Sequence, residues 1–107
     1  MSGYSFEREG PLKEKGLFGL LWKQRWATLS RSLAYGFALT LYDEQGDAFP
    51  TGIVELMGAS VADANDDPKH PFALKIEHPK RKTVIVEALN EAERNEWRKA
   101  LSNCVRS

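Results

Sequence analysis

Lys23 and Arg25 stand two residues apart in the aromatic segment Trp22-Lys-Gln-Arg-Trp26, and Lys13 and Lys15 repeat that spacing upstream. On an extended strand, residues i and i+2 share a face, so each pair projects together. If the two segments pair as neighbouring strands, the four cations gather in one patch. The chemistry such a patch can do is capture of a multiply charged anion. Arginine offers a planar fork that holds two oxygens at once, and lysine acts as a mobile point charge. A second basic run, Lys80-Arg81-Lys82, follows Pro79. Taken alone, that run is also what a solvated hairpin turn carries.

Between the two basic pairs lies Gly16-Leu-Phe-Gly-Leu-Leu21, which is apolar where loops are ordinarily polar. Exposed Leu17, Phe18 and Leu20 are suited to insertion among lipid tails, at about 1.5–3 kcal/mol for each fully buried side chain. The alternative is that Leu20 and Leu21 turn inward as the next strand begins, leaving Leu17 and Phe18 outside.

Bond-making chemistry finds no support. His70 and His78 each precede a proline, with no nucleophile or carboxylate at a telling spacing. No Gly-rich phosphate loop and no Cys/His metal spacing is present, so neither enzyme activity nor a cofactor or metal is expected. Any basic patch can attract nucleic acid, but the near-neutral balance and the lack of stacking aromatics on basic strands argue against it as a partner.

These residues belong to a chain of 107 residues, the size of one domain, with Lys plus Arg equal to Asp plus Glu at 15 each. The charge is segregated: residues 1–35 carry +3, residues 36–68 carry −7, residues 69–82 carry +4, and the rest balances. Either these blocks cancel in space or one side of the molecule carries a strong local field. The single cysteine, Cys104, precludes an internal disulfide and fits a reducing, cytosolic setting. The N-terminus has neither a signal-peptide core nor a myristoylation start. The chain ends almost where its last element does, as expected of a fragment of something larger, with a stand-alone protein as the alternative.

The elements that must position the basic residues are strands. Apolar and polar residues alternate in short runs at about Arg8 to Lys15, Trp22 to Leu29, Phe37 to Tyr42, Gly52 to Leu56, Ala59 to Ala62, Phe72 to Glu77 and Thr83 to Ala88. Asp43 to Asp47 and Asp63 to Pro71 read as loops. The end of the chain changes to a helical period. Asn90-Glu-Ala-Glu93 matches a capping box, and Trp97, Ala100, Leu101, Cys104 and Val105 form one apolar stripe. Trp97 and Leu101 are therefore expected in the core, with Cys104 as packing.

Seven strands followed by one helix with a single Trp on its buried stripe resemble the pleckstrin homology (PH) domain family. The marks are Glu9-Gly-Pro-Leu-Lys13, Trp22-Lys-Gln-Arg-Trp26, Gly52-Ile-Val-Glu-Leu56 and Trp97-Arg-Lys-Ala-Leu101, together covering about residues 8–105 of one domain, 1–107. The resemblance implies a bent, seven-stranded antiparallel sandwich or barrel capped by the helix. Its open end is ringed by the first-second, third-fourth and sixth-seventh strand loops. It also implies a function: binding anionic phospholipids or phosphoinositides and recruiting a larger protein to a membrane. Lys13, Lys15, Lys23, Arg25, Lys80, Arg81 and Lys82 would be the headgroup contacts, on a monomeric, cytoplasmic, peripherally membrane-associated module. The alternative it leaves open is a protein-interaction or regulatory domain with weak or no lipid binding.

The chain departs from the strong lipid binders of that family in three places. Glu14 stands where a lysine is frequent, unless a one-residue slip restores Lys13 or Lys15. Leu41 replaces a tyrosine, and Asp43, Glu44 and Asp47 make the third-fourth loop acidic. These departures imply modest affinity and loose selectivity, favouring singly phosphorylated inositides, phosphatidic acid or phosphatidylserine.

Overall fold

The structure is a computed structural model that describes residues 5–16, 21–32 and 36–105. It contains β1 (Ser5–Lys15), β2 (Trp22–Ser32), β3 (Gly36–Tyr42), β4 (Gly52–Glu55), β5 (Ser60–Asp63), β6 (Ala73–His78), β7 (Arg81–Glu87) and α1 (Glu91–Val105). All seven strands pair antiparallel in one sheet, ordered β4-β3-β2-β1-β7-β6-β5. This is the architecture expected from the alternation. The first two strands are longer than the sequence pattern predicts, starting at Ser5 and ending at Ser32. Backbone pairing continues there through a register shift between Phe6 and Arg8, which breaks the side-chain alternation without ending the ladder.

β1 pairs with β2 along its length but with β7 only at Lys13 and Glu14. The sheet therefore bends at the end of β1 and folds onto itself. Its inward rows supply Leu12, Leu29, Leu39, Leu74 and Val86, all without measurable exposure. Burial of each such side chain stabilises by about 1.5–3 kcal/mol, which is what a domain of this size depends on.

α1 closes one end of this core. The Asn90 side-chain oxygen accepts the Glu93 N–H at 2.8 Å, forming the expected N-cap. The reciprocal arm differs from the expected box: the Glu93 carboxylate is taken by Arg8 of β1 at 2.8 Å, which ties the helix to the sheet. Trp97 and Leu101 are completely buried, as their stripe predicts, and Cys104 is nearly so. The Trp97 ring lies over Gly10, where even a Cβ would already sit 3.6 Å from the indole. Arg98 joins the helix to β5 through both oxygens of Asp63, each at 3.0 Å.

Candidate functional site

The end of the sheet opposite α1 is built by the same strand rows that make the core. On β2, Leu29 and Ala27 point inward, and the next residues at that spacing are Arg25 and Lys23. On β1, buried Leu12 is followed by Glu14; on β7, Val86 and Val84 lead back to Lys82. A two-residue period thus carries each inward row out of the apolar core and into a charged rim. Leu12 pairs with Arg25, and Glu14 pairs with both Lys23 and Val86, so all three rows share a face.

This rim encloses a cavity of about 680 Å³, lined by Lys15, Lys23, Arg25 and Lys82 together with Glu14 and Thr51. Thr51 is fixed at the edge by its hydroxyl and N–H, both donating to the Leu41 carbonyl, at 3.1 and 2.7 Å. Leu21, two-thirds exposed, forms part of the same wall.

Two carboxylates address Arg25. Its Nε donates to Glu14 Oε1 at 3.0 Å, and its Nη1 donates to Asp43 Oδ1, at the start of the β3–β4 loop. Only 16% of the Arg25 side chain is exposed, against 65% for Asp43. The loop that begins at Asp43 curls back on itself. Asp47 N–H donates to the Glu44 carbonyl, Glu44 N–H to the Asp47 carboxylate, and Gly46 takes a φ of 90° that other residues rarely adopt. Among the described residues, the ion pairs leave Lys23 and Lys82 without a carboxylate partner.

The remaining basic residues distribute differently from the single patch that strand pairing suggested. No slip occurs at the end of β1: Lys13 pairs with Gln24 and Glu14 with Lys23. Lys13 therefore lies on the outer face, where it lines a separate hollow with Gln24 and Lys69. Lys15 touches the cavity from its edge, but its ammonium sits 5.9 Å from the Trp22 ring centroid, on the outer side. Arg81 leaves the rim altogether. It donates to Glu55 on β4, at 2.8 Å to the carboxylate and 3.2 Å to the carbonyl. Lys80 is exposed at the β6–β7 turn, its N–H donating to His78 Nδ1 at 3.0 Å. Leu17, Phe18 and Leu20 lie outside the described residues.

Sequence reasoning passed over Phe49, 85% exposed in the β3–β4 loop that flanks the cavity. It also missed the Arg25–Asp43 contact. A signal for Glu14 was present: it follows Leu12 by two residues, so the face that buries Leu12 must carry Glu14 and not Lys13.

Outside the cavity, His70 and Glu87 are held in local packing. His70 stacks on Trp22 with centroids 3.9 Å apart, and its Nδ1 lies 2.7 Å from Glu87 Oε1. The second Glu87 oxygen accepts the Phe72 N–H at 3.3 Å, so this buried carboxylate is satisfied. Burial, with Glu7 nearby, pushes the Cys104 thiol up to about 11, which keeps it protonated and unreactive near neutrality. Among the described residues no group of His, Cys, Asp and Glu could hold a metal ion, and no helix is long and apolar enough to cross a membrane.

A seven-stranded bent sheet with one end plugged by a Trp-bearing helix is the architecture of a PH domain, and the PH domain family model matches residues 6–106. The chain belongs to that family, which in general is a non-catalytic module that commonly binds phosphoinositides. Among its relatives, Cytohesin-4 of Homo sapiens is 38% identical over 73 residues, 68% of this chain and 17% of that protein. Cytohesin-4 of Mus musculus is 29% identical over 116 residues, 89% of this chain and 28% of that protein. The chain thus spans less than a third of the length of these relatives. In structure it is similar to the C-terminal PH domain of pleckstrin in complex with D-myo-Ins(1,2,3,4,5)P5. The TM-score is 0.79 at 25% identity, covering 95% of this chain and all of that one.

Proposed function

We propose that this domain binds the headgroups of anionic phospholipids, phosphoinositides among them, and so brings a larger protein to an anionic membrane surface. The observation that supports this reading is the convergence of Lys15, Lys23 and Lys82, from three strands, on one cavity beside Arg25. Each Lys or Arg close to an anionic surface contributes about 1 kcal/mol, so three lysines provide weak, reversible attachment. Apolar side chains stand ready beside them. Leu21 and Phe49 are exposed at this end, and Leu17, Phe18 and Leu20 belong to the same β1–β2 connection. Lys13, Lys80 and Arg81 have secondary roles, through long-range attraction or, for Arg81, through its tie to Glu55. The pentakisphosphate held by the pleckstrin domain is of the same multiply anionic class. On this reading the module is non-enzymatic, monomeric in isolation, cytoplasmic and peripherally attached to membranes.

Co-sedimentation with phosphatidylcholine vesicles containing phosphatidylserine or a singly phosphorylated phosphoinositide tests the proposal. Retention should fall as salt rises and disappear in Lys23→Ala with Lys82→Ala, with the thermal melt unchanged. Retention by that double variant equal to the parent's would remove the site. Replacing Leu17 and Phe18 by Ser tests insertion separately, and undiminished retention would discard it.

A second reading, a protein-interaction module, is favoured by one observation: Arg25 and Arg81 are already ion-paired. β5 is an edge strand beside α1, so an extended peptide can add there. Absence of vesicle retention at low salt supports this reading over the first.

A further inference from the structure

Two carboxylates from different elements converge on one guanidinium at a cavity whose lining also includes Lys15, Lys23 and Lys82. Glu14 reaches Arg25 Nε from β1, and Asp43 reaches Nη1 from the β3–β4 loop. An ion pair of this kind needs only one carboxylate for charge balance. The second makes the trio net negative, so the most deeply set cation in the cavity contributes no net attraction to an incoming anion. What remains to attract a ligand is Lys23, Lys82 and the edge-on Lys15. We infer that Glu14 and Asp43 are specificity-determining residues, which hold Arg25 out of reach and select anions of low charge over polyphosphates. This rests on the anion-binding reading of the cavity.

The physical argument is one of scaling. Repulsion between a fixed carboxylate and a bound anion grows in proportion to the anion's charge. A phosphomonoester with one or two charges tolerates the pair. An inositol polyphosphate, carrying several times that charge, meets several times the repulsion and must also displace Asp43 to reach the arginine fork. Asp43 is the displaceable member, being exposed and at the head of a loop, whereas Glu14 is fixed on a central strand. The acidic loop therefore acts at a defined atom, the Arg25 Nη1, and not only as a diffuse field.

Isothermal titration of the domain with D-myo-Ins(1,2,3,4,5)P5 and, separately, with an inositol monophosphate tests this, comparing the parent with Asp43→Asn and Glu14→Gln. Removing one like charge near a water-facing site changes the affinity of a singly charged ligand by roughly fivefold. Each variant should therefore tighten the monophosphate, with its one to two charges, by about 5- to 25-fold at most, and the pentakisphosphate by at least about tenfold more than the monophosphate. Melting curves confirm that each variant folds, and Glu14→Gln serves if Asp43→Asn does not. Equal gains for both ligands, or no gain, overturn the inference. If vesicle retention still depends on Lys23 and Lys82 in that case, the proposed function stands without it. Absence of anion binding and of vesicle retention in parent and variants alike removes both.

Discussion

The two ends of the sheet are made by the same strand rows and meet opposite requirements. At the closed end the rows carry Leu29 and Leu39 into the core that Trp97 and Leu101 complete, with no exposure. At the open end the rows continue as Arg25, Lys23, Glu14 and Lys82 around a cavity. The closed end is stabilised by burial, which is non-directional and tolerates any arrangement that keeps volume and pattern. The open end is governed by which charge faces which, so a single pairing such as Arg25 with Asp43 changes what the cavity presents. On the proposed function, stability and recognition are divided along the length of the strands, and substitutions at the two ends should separate cleanly.

The sharpest way to break this division is at Trp97. Trp97→Ala should cost about 3–5 kcal/mol in a urea melt by emptying the space over Gly10. A cost below about 1 kcal/mol would show that the closed end is not where stability resides. The next effect concerns Cys104 at the same end. Its thiol is raised to about 11 in the folded state from an ordinary value of 9.0. A raised folded value means that stability is fully present below pH 9.0 and is lost as pH climbs towards about 11. The loss approaches about 3 kcal/mol once pH passes the folded value. Cys104→Ala should flatten that alkaline limb in pH-dependent melts, and an unchanged limb would assign it to other groups.

Smaller still, Asn90→Ala should cost about 1 kcal/mol by orphaning the Glu93 N–H, without altering vesicle retention. At the open end the balance reverses. Lys23→Ala, an exposed lysine without an ion pair among the described residues, should change stability by less than about 0.5 kcal/mol. Its vesicle retention should nonetheless drop by roughly fivefold, one lysine's share. A large stability loss there, with retention intact, would erase the distinction between the ends.

Much of the closed end was legible in the sequence because its signals are local. Strand alternation, the Asn90 cap and the stripe of Trp97, Leu101 and Cys104 follow from periods of about 2 and 3.6 residues. Five of the seven predicted strands differ from the observed ones by one or two residues at an end, and the longer differences fall in β1 and β2 near their bulge. The open end was legible only in part. That Lys23 and Arg25 share a face followed from their spacing. That Lys13 does not join them followed from the pairing of β1 with β2, since a shift of one residue exchanges the two faces of a strand.

By itself the sequence determined the fold class, the helix cap, the core tryptophan and the concentration of cations near the first turn. Only the tertiary structure decided that Asp43 reaches Arg25 across 18 positions and that Arg81 is drawn to Glu55 across 26. The reason is physical. Apolar burial is read from periodicity along one segment, whereas an ion pair depends on where two distant segments are brought by the bending of the sheet.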